Sequence, residues 1–500
     1  MKQHQFTLEK IPLEPTNQRL TNIAGLGTVL ELFSESLISQ GFESCLPKRV
    51  NSRSIGSYGL ALVQIASFIA GYDCLDDLEK LRIDPYFKAL FKGKSVAPST
   101  MGDFLRHFKD QHFSNLNSYL PKMNHKIWNH WKNTLGDKYS DEPIHLSIDS
   151  TSHVQQGVKM QGVAWNYKEE WCLDSLEIFD QMGLCHGFEL RPGNTFSSYN
   201  APHMIRSAFK DKKFAEEAYL SGDSAFCNQD NILTCLSLGV KFTCTAHQAN
   251  TGWEDHIGEI HNWKKWEYSN EELEIAVIKK IVLPEVEVGS FHWRPAWSEG
   301  KLCFPVVVKR TPKGSTQREL FSDNQWYYYG VVTNMSLFKF TAQQVIEKHN
   351  KRANCENFIR EEKYGLDLLH FPCLKLKANF AFGLLAQVAH NIIRWVAILD
   401  MPFKPHFAKK IRNKFINAPG KLVSHAKQLT LNFVLPETSF TLYTGHIVYT
   451  FPSDKEGYPW FGGSVIKWTK SSSLLRGISK AKKWLRYAGS LESLDPLGTS

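Results

Sequence analysis

The chain has 500 residues, 42% apolar and 13% aromatic, with a formal net charge of +9; this is length for two to four domains and enough apolar material for packed cores, which excludes a disordered protein. Its ten cysteines show no Cys-x-x-Cys and no paired spacing, and the start, MKQHQFTLEKIPLEP, has no apolar run. A disulfide framework and a signal peptide are therefore not expected, and a reduced cytoplasmic compartment is.

Residues 1–140 read as a helical region: TNIAGLGTVLELFSESLISQG and SYGLALVQIASFIAGYDCLDDLEKLR carry apolar residues at helical spacing. In STMGDFLRHFKDQHF, Thr100 and Asp103 have capping-box spacing, and Arg106 and Lys109 make it either a DNA-reading helix or a plain packing helix. The pattern changes at 141. PIHLSIDST alternates Ile144, Leu146 and Ile148 with polar residues and ends in Asp149, as a strand that delivers a carboxylate to a sheet edge would. Two further strands, CLDSLEIFDQMG and LCHGFELRPGN, are joined by a turn near Gly183; then come a helix, the strand AYLSGDSAF with Asp223, the helix NQDNILTCLSLG and the strand VKFTCTAH. That order predicts a mixed α/β layer over 141–247. Residues 248–332 are Trp-rich, with six of the fourteen tryptophans, and ELEIAVIKKIVL, KLCFPVVVKR and QWYYYGVVTN are all strand-like, so a β-rich insertion is expected there. Helical signals return over 333–400. The segment 378–401 is apolar enough to suggest a membrane span, but Asn379, Gln387, His390, Asn391 and Arg394 argue for a buried core helix and no membrane contact. Residues 401–500 hold 15 Lys and Arg against 5 Asp and Glu, while the first 400 hold 44 against 45. KPHFAKKIRNKF and ISKAKKWLRYAG mix these cations with aromatics, which suits either phosphate-backbone contact or a solvated basic face.

Several chemistries are excluded by their motifs. KGKS at 92–95 lacks the first glycine of a phosphate-binding loop, since position 88 is Lys; there is no His-Glu-x-x-His and no Gly-x-Ser-x-Gly. What remains is a set of acids placed by predicted elements: Asp149 on the first strand, Asp223 at the end of the fourth, and Glu356 on the helix after the insertion. Three converging carboxylates repel unless cations neutralise them, and hard oxygen ligands suit Mg²⁺ or Mn²⁺. Two such ions about 4 Å apart can drive in-line attack on a phosphodiester. On a single helix through 347–367, His349, Arg352, Glu356 and Lys363 fall at roughly 60°, 0°, 40° and 20°, one narrow face on which the cations would grip phosphates. Plainer roles stay open: Asp149 as a turn cap at Ser150 and Thr151, Asp223 as a helix cap, Glu356 as the partner of Arg352 or Arg360. Asp141, Asp174 and Asp180 are the competing acids.

The spacing His349-x2-Arg352-x3-Glu356-x6-Lys363 is similar to the Tyr-x2-Arg-x3-Glu-x6-Lys signature of DDE transposases from bacterial insertion sequences, with His in the place of Tyr. CENFIREEK resembles the Glu-Asn-x-Ile-Lys/Arg-Glu run of one branch; YLSGDSAF resembles the family's second-Asp strand, and LRIDPYF followed by STMGDFLRHF its N-terminal region. The resemblance spans most of residues 60–400. It implies an RNase H-like mixed-sheet core (141–247 and 333–400) interrupted by the β-rich insertion (248–332), with a helical N-terminal DNA-binding region (1–140) and a basic C-terminal DNA-binding or dimerisation region (401–500). It also implies Asp149, Asp223 and Glu356 as catalytic ligands of two Mg²⁺ ions, with Mn²⁺ as a substitute, and His349, Arg352 and Lys363 as phosphate contacts. Trp326 is the candidate for stacking on a flipped base. The activity implied is metal-dependent cleavage and strand transfer at inverted repeats, by a homodimer on double-stranded DNA at the nucleoid. The alternative is a non-catalytic DNA-binding protein on a degenerate transposase scaffold.

Overall fold

The computed structural model describes residues 14–48, 55–135, 143–313, 326–401, 404–425, 428–433, 441–443 and 448–450. Asp141 and the run ISKAKKWLRYAG lie outside them. The chain divides into two compact units: Thr28–Leu78 with Val96–Arg412, and Met1–Gly27 with Glu79–Ser95 and Asn413–Ser500.

In the second of these, chain segments far apart in sequence share one sheet. The two-residue strand Leu20–Thr21 pairs with Gly420–His425, which pairs in turn with Gln428–Phe433. Ala24, Tyr86, Ala418, Leu422 and Leu431 pack together beside it. The helix Pro85–Leu90 starts where proline's fixed φ is already helical, and Asp84 accepts the Phe87 N–H at 2.7 Å.

The larger unit is built on one mixed sheet. Its first five long strands are β1 (Ile144–Val154), β2 (Trp171–Asp180), β3 (Cys185–Pro192), β4 (Ala218–Gly222) and β5 (Lys241–Thr245). They lie in the order β3-β2-β1-β4-β5, antiparallel at β3-β2 and β2-β1 and parallel at β1-β4 and β4-β5. This is the RNase H-like arrangement. The three remaining long strands, β6 (Glu287–Trp293), β7 (Phe304–Pro312) and β8 (Trp326–Thr333), all come from the Trp-rich segment. They extend the same sheet, because β8 pairs antiparallel with β5 and the order continues β8-β7-β6. The segment thus adds to the core sheet instead of forming a separate layer.

The main helices of this unit are α1 (Gly56–Ala70), α2 (Pro98–Arg106), α3 (Asp110–Leu135), α4 (Ala201–Ala208), α5 (Gln229–Leu238), α6 (Asn270–Lys279), α7 (Ala342–Asn350), α8 (Asn354–Gly365) and α9 (Leu376–Asp400). Two of them correct the sequence reading. Helix α2 begins at Pro98, with Ala97 as its cap, and Asp103 instead pairs with Arg106, so the Thr100 and Asp103 spacing is not a capping box. ELEIAVIKKIVL is not a strand: Ser269 and Glu272 form a reciprocal capping box that starts α6. Local capping there overrides the β preference of Ile275, Val277 and Ile278.

Helix α9 is long and apolar enough to cross a membrane, yet 94% of its most apolar stretch is buried inside the protein. Its polar side chains are spent on the fold. Asn379 bonds both the N–H and the C=O of Cys373 at 2.8 Å; Asn391 accepts from the Cys185 N–H at 2.7 Å and donates to its C=O at 2.9 Å. His390 bonds the Gly183 carbonyl at 2.7 Å, and Arg394 donates to Met182 O. Gly383 is required where the helix crosses β3, because a Cβ there would sit 2.5 Å from the Phe188 ring. Phe68 of α1 meets Phe382 edge-on at 4.8 Å, and each such fully buried ring contributes roughly 1.5–3 kcal/mol. The basic run at 404–415 also has a structural member: Arg412 is buried and donates to the Phe68 and Ile69 carbonyls, satisfying the C-terminal end of α1.

Candidate active site

The site follows from the central pair of parallel strands. Ile144, Leu146 and Ile148 anchor β1 in the core, and His145 and Ser147 are buried on its other face, so the strand is enclosed on both sides until Asp149. Ile148 lies opposite Gly222 in the parallel register, which puts Asp149 and Asp223 at matching positions on adjacent strands. Gly222 allows this close ending: a Cβ there would meet Phe226 at 2.8 Å and Ile148 at 3.3 Å. Each aspartate has one oxygen tied locally. Asp223 accepts the Ala225 N–H at 2.9 Å and caps the 3₁₀ turn after it, while Asp149, in mid-strand, accepts only the adjacent Ser150 N–H at 2.8 Å and caps no turn; each bond occupies only Oδ1.

The third carboxylate comes from the helical layer. Thr341 and Gln344 cap α7 reciprocally; a 3₁₀ turn at Lys351–Ala353 then joins it to α8, which bears Glu356 in its first turn. The turn breaks the single helix assumed from sequence, and the face divides accordingly. Arg352 Nη1 reaches Asp149 Oδ2 at 3.3 Å, and Lys363 Nζ donates to Thr151 Oγ1 at 2.6 Å and to the Ser152 carbonyl at 2.7 Å. Both cations therefore end on β1, within three residues of Asp149. Arg360 bonds Asn357 at 2.7 Å and Arg352 turns to Asp149, so neither is held by Glu356.

Electrostatics tie the acids together. Burial pushes Asp149 up to about 6; Arg352 opposes that, and the charges of Asp223 and Glu356 add to it. Carboxylate oxygens are hard donors of the kind that suit Mg²⁺ or Mn²⁺. Among the described residues, no three His, Cys, Asp or Glu side chains stand close enough together to hold a metal ion. Of the competing acids, Asp174 and Asp180 are committed elsewhere. Asp174 is bonded by Arg191 Nε at 2.7 Å; Asp180 takes the Trp128 indole N–H at 2.7 Å, His186 at 3.0 Å and the Met182 and Leu184 N–H groups at 2.9 Å.

His349 does not join this cluster. Only 1% exposed, it packs beneath the sheet with Nδ1 3.0 Å from Thr243 Oγ1 and Nε2 3.1 Å from Thr245 Oγ1. The same hydroxyl network continues through Ser221 to His145 and through Thr245 to Tyr329. Burial, then the Arg352 charge, pushes His349 down to about 3, so it is neutral near pH 7. Trp326 opens β8, and its ring lies 4.5 Å from the Arg310 guanidinium, which also stacks 4.1 Å from Trp263 and bonds Glu287.

Sequence reasoning missed a pair of acids behind Asp149. Glu177 lies opposite Asp149 on β2 and is fully buried against Glu362 of α8. Burial pushes Glu177 up to about 7 and Glu362 well above its ordinary value, and one carboxyl keeps its proton to bond the other. Ser175 donates to Glu177 at 2.6 Å and Gln387 to Glu362 at 2.8 Å. The available signal was Glu362 standing directly before Lys363 on the face turned to the sheet.

No curated protein matches the chain. A family model described as "Transposase DDE domain group 1" matches residues 4–441, which includes every strand and helix of the sheet and all three acids. With the RNase H-like strand order and the carboxylates at its centre, the chain belongs to the DDE transposase family.

Proposed function

We propose that this transposase binds the terminal inverted repeats of its element, nicks the DNA endonucleolytically at their ends and joins the freed 3′-hydroxyl to target DNA. The observation that supports the reading is the middle of β1, where Arg352 and Lys363 bond at Asp149 and Thr151 and Asp223 follows the adjacent parallel strand. Asp149, Asp223 and Glu356 would hold the divalent ions, and when bound these supply charge neutralisation and an activated oxygen nucleophile for in-line attack. Arg352 and Lys363, fixed on β1 at Asp149 and Thr151, orient the neighbouring phosphates. His349 serves as a positioning residue: its bonds to two β5 threonines hold the end of α7, and hence Arg352 three residues on. Trp326, its ring set against Arg310, is the candidate for stacking on an unpaired base. The protein acts as a homodimer on double-stranded DNA at the nucleoid, in the cytoplasm, because two ends must be joined in one reaction.

A second reading has one observation in its favour. The ion pair between Arg352 and Asp149 would also suit a scaffold that binds DNA without cutting it. An end-containing duplex incubated with the protein and Mg²⁺ separates the two. Cleavage and joining to a second duplex support the transposase. Salt-sensitive binding with no cleavage in Mg²⁺ or Mn²⁺ supports the binder, and cleavage without joining marks a nuclease of the same fold.

A further inference from the structure

Glu362 and Lys363 are neighbours on α8, about 100° apart around the helix, and they reach different strands. Lys363 Nζ ends on β1, at Thr151 Oγ1 and the Ser152 carbonyl, while Glu362 meets Glu177 of β2. The two anchor points adjoin in the sheet. Thr151 lies opposite Ser175 and Asp149 opposite Glu177, and Ser175 donates to Glu177 at 2.6 Å.

The hydrogen bonds around the two acids, both 1% exposed, leave one oxygen of each over. Glu177 Oε1 takes the Ser175 hydroxyl and Glu362 Oε2 the Gln387 amide; among the described residues no further group donates to Glu177 Oε2 or Glu362 Oε1. His390 Nδ1 stands 4.0 Å from Glu362 Oε1, but the neutral ring donates its Nε2–H to the Gly183 carbonyl, so Nδ1 carries a lone pair and no proton. A proton between the two carboxyls is what satisfies both oxygens. Two apolar side chains would fill the same space without desolvating any polar group. The carboxyl pair adds a directed bond, which holds α8 at one rotation over β2 and so sets the direction in which the next residue, Lys363, leaves the helix.

We propose that the Glu177–Glu362 bridge is a positioning device for Lys363, locking α8 to β2 so that the ammonium is presented beside Thr151 to a DNA phosphate. Neither acid touches DNA; both act through Lys363. The inference rests on Lys363 being a phosphate contact, and fluorescence anisotropy of the full chain on a labelled end-containing duplex, at several salt concentrations, tests the two separately. Lys363→Ala is expected to lower the slope of log K against log salt by about 0.9. Glu177→Ala, and Glu362→Asp, which draws the carboxyl back by one methylene, are expected to lower it equally. Glu362→Asp combined with Lys363→Ala is expected to lower it no further than Lys363→Ala alone. Glu362→Gln can still accept from Gln387 and donate its amide N–H to Glu177, so it is expected to keep the wild-type slope. Loss of stability in a folded variant leaves this slope unmoved, and circular dichroism shows which variants are folded; if one of the two bridge-breaking variants is not, the other carries the test. A full slope in a folded bridge-breaking variant overturns the inference, as does a lowered slope in Glu362→Gln or a further fall in the double variant. A full slope in Lys363→Ala overturns the phosphate role of Lys363 itself, and the inference with it.

Discussion

Replacing His349 separates two roles that the sequence alone could not distinguish, phosphate contact and positioning. The ring is 1% exposed, holds two threonine hydroxyls at 3.0 and 3.1 Å, and is neutral near pH 7 because burial pushes it down to about 3. His349→Ala loses two buried hydrogen bonds at about 1 kcal/mol each and leaves a ring-sized hole worth roughly 1–3 kcal/mol more, so urea denaturation should show a loss of about 3–5 kcal/mol. His349→Gln can still bond one threonine and should lose less. A residue that contacts phosphate as a cation releases a counterion, and its removal lowers the slope of log K against log salt by about 0.9. Fluorescence anisotropy of a labelled duplex at several salt concentrations should therefore give the wild-type slope for His349→Gln. If that slope fell by about one while stability stayed unchanged, His349 would be a phosphate ligand and the positioning argument would be wrong.

Lys363→Ala is the contrasting case: the salt slope should fall by about 0.9, with weaker binding to every sequence alike. Stability should respond to pH through His390, which burial and the Arg394 charge push down to about 3. The unfolded imidazole takes its proton near 6.5 and the folded one only near 3. His390 therefore costs stability as pH falls below about 6.5, by up to about 1.4 kcal/mol per pH unit, and in urea titrations at pH 7 and 5 His390→Gln should show a smaller acid loss than the wild type. An unchanged loss would mean the group is not buried neutral. Gly383→Ala places a Cβ 2.5 Å from Phe188, in a ring with no room to move, and should destabilise by about 1–3 kcal/mol despite alanine's better helix propensity. Arg412→Met removes the guanidinium donors from the Phe68 and Ile69 carbonyls, leaving Phe68 only the Gly71 N–H, and should lower the melting temperature; an unchanged melting temperature would show that the contact contributes nothing.

The strand order was legible, and with it the positions of Asp149 and Asp223, because each rests on a short-range signal. Alternation around Ile144, Leu146 and Ile148 marks β1, but the strand does not end at Asp149 as expected: it runs on to Val154, so Asp149 lies in mid-strand. Asp223 ends a run too apolar to be a loop. The argument failed where local and tertiary signals compete. ELEIAVIKKIVL has strand composition, but Ser269 and Glu272 cap a helix, and a two-residue signal outweighs the three β-branched side chains of that helix once both bonds form. His349 lies on the same wheel face as Arg352 and Lys363, yet the 3₁₀ turn at Lys351–Ala353 rotates the two halves apart, so its ring meets β5 while theirs meet β1. Glu177 was hidden because β2 is buried on both faces, where alternation carries no information about which side chain faces the site. The role of Arg412 was hidden in a basic run whose composition suggested phosphate contact.

The central claim is that Asp149, Asp223 and Glu356 act as one metal-holding set, and it is tested most directly by substituting each with alanine in an end-cleavage assay with Mg²⁺. Wild-type protein should cut and join. Each variant should lose cleavage while still binding the end duplex in anisotropy. Cleavage that survived in all three would contradict the account, whatever else the fold resembles.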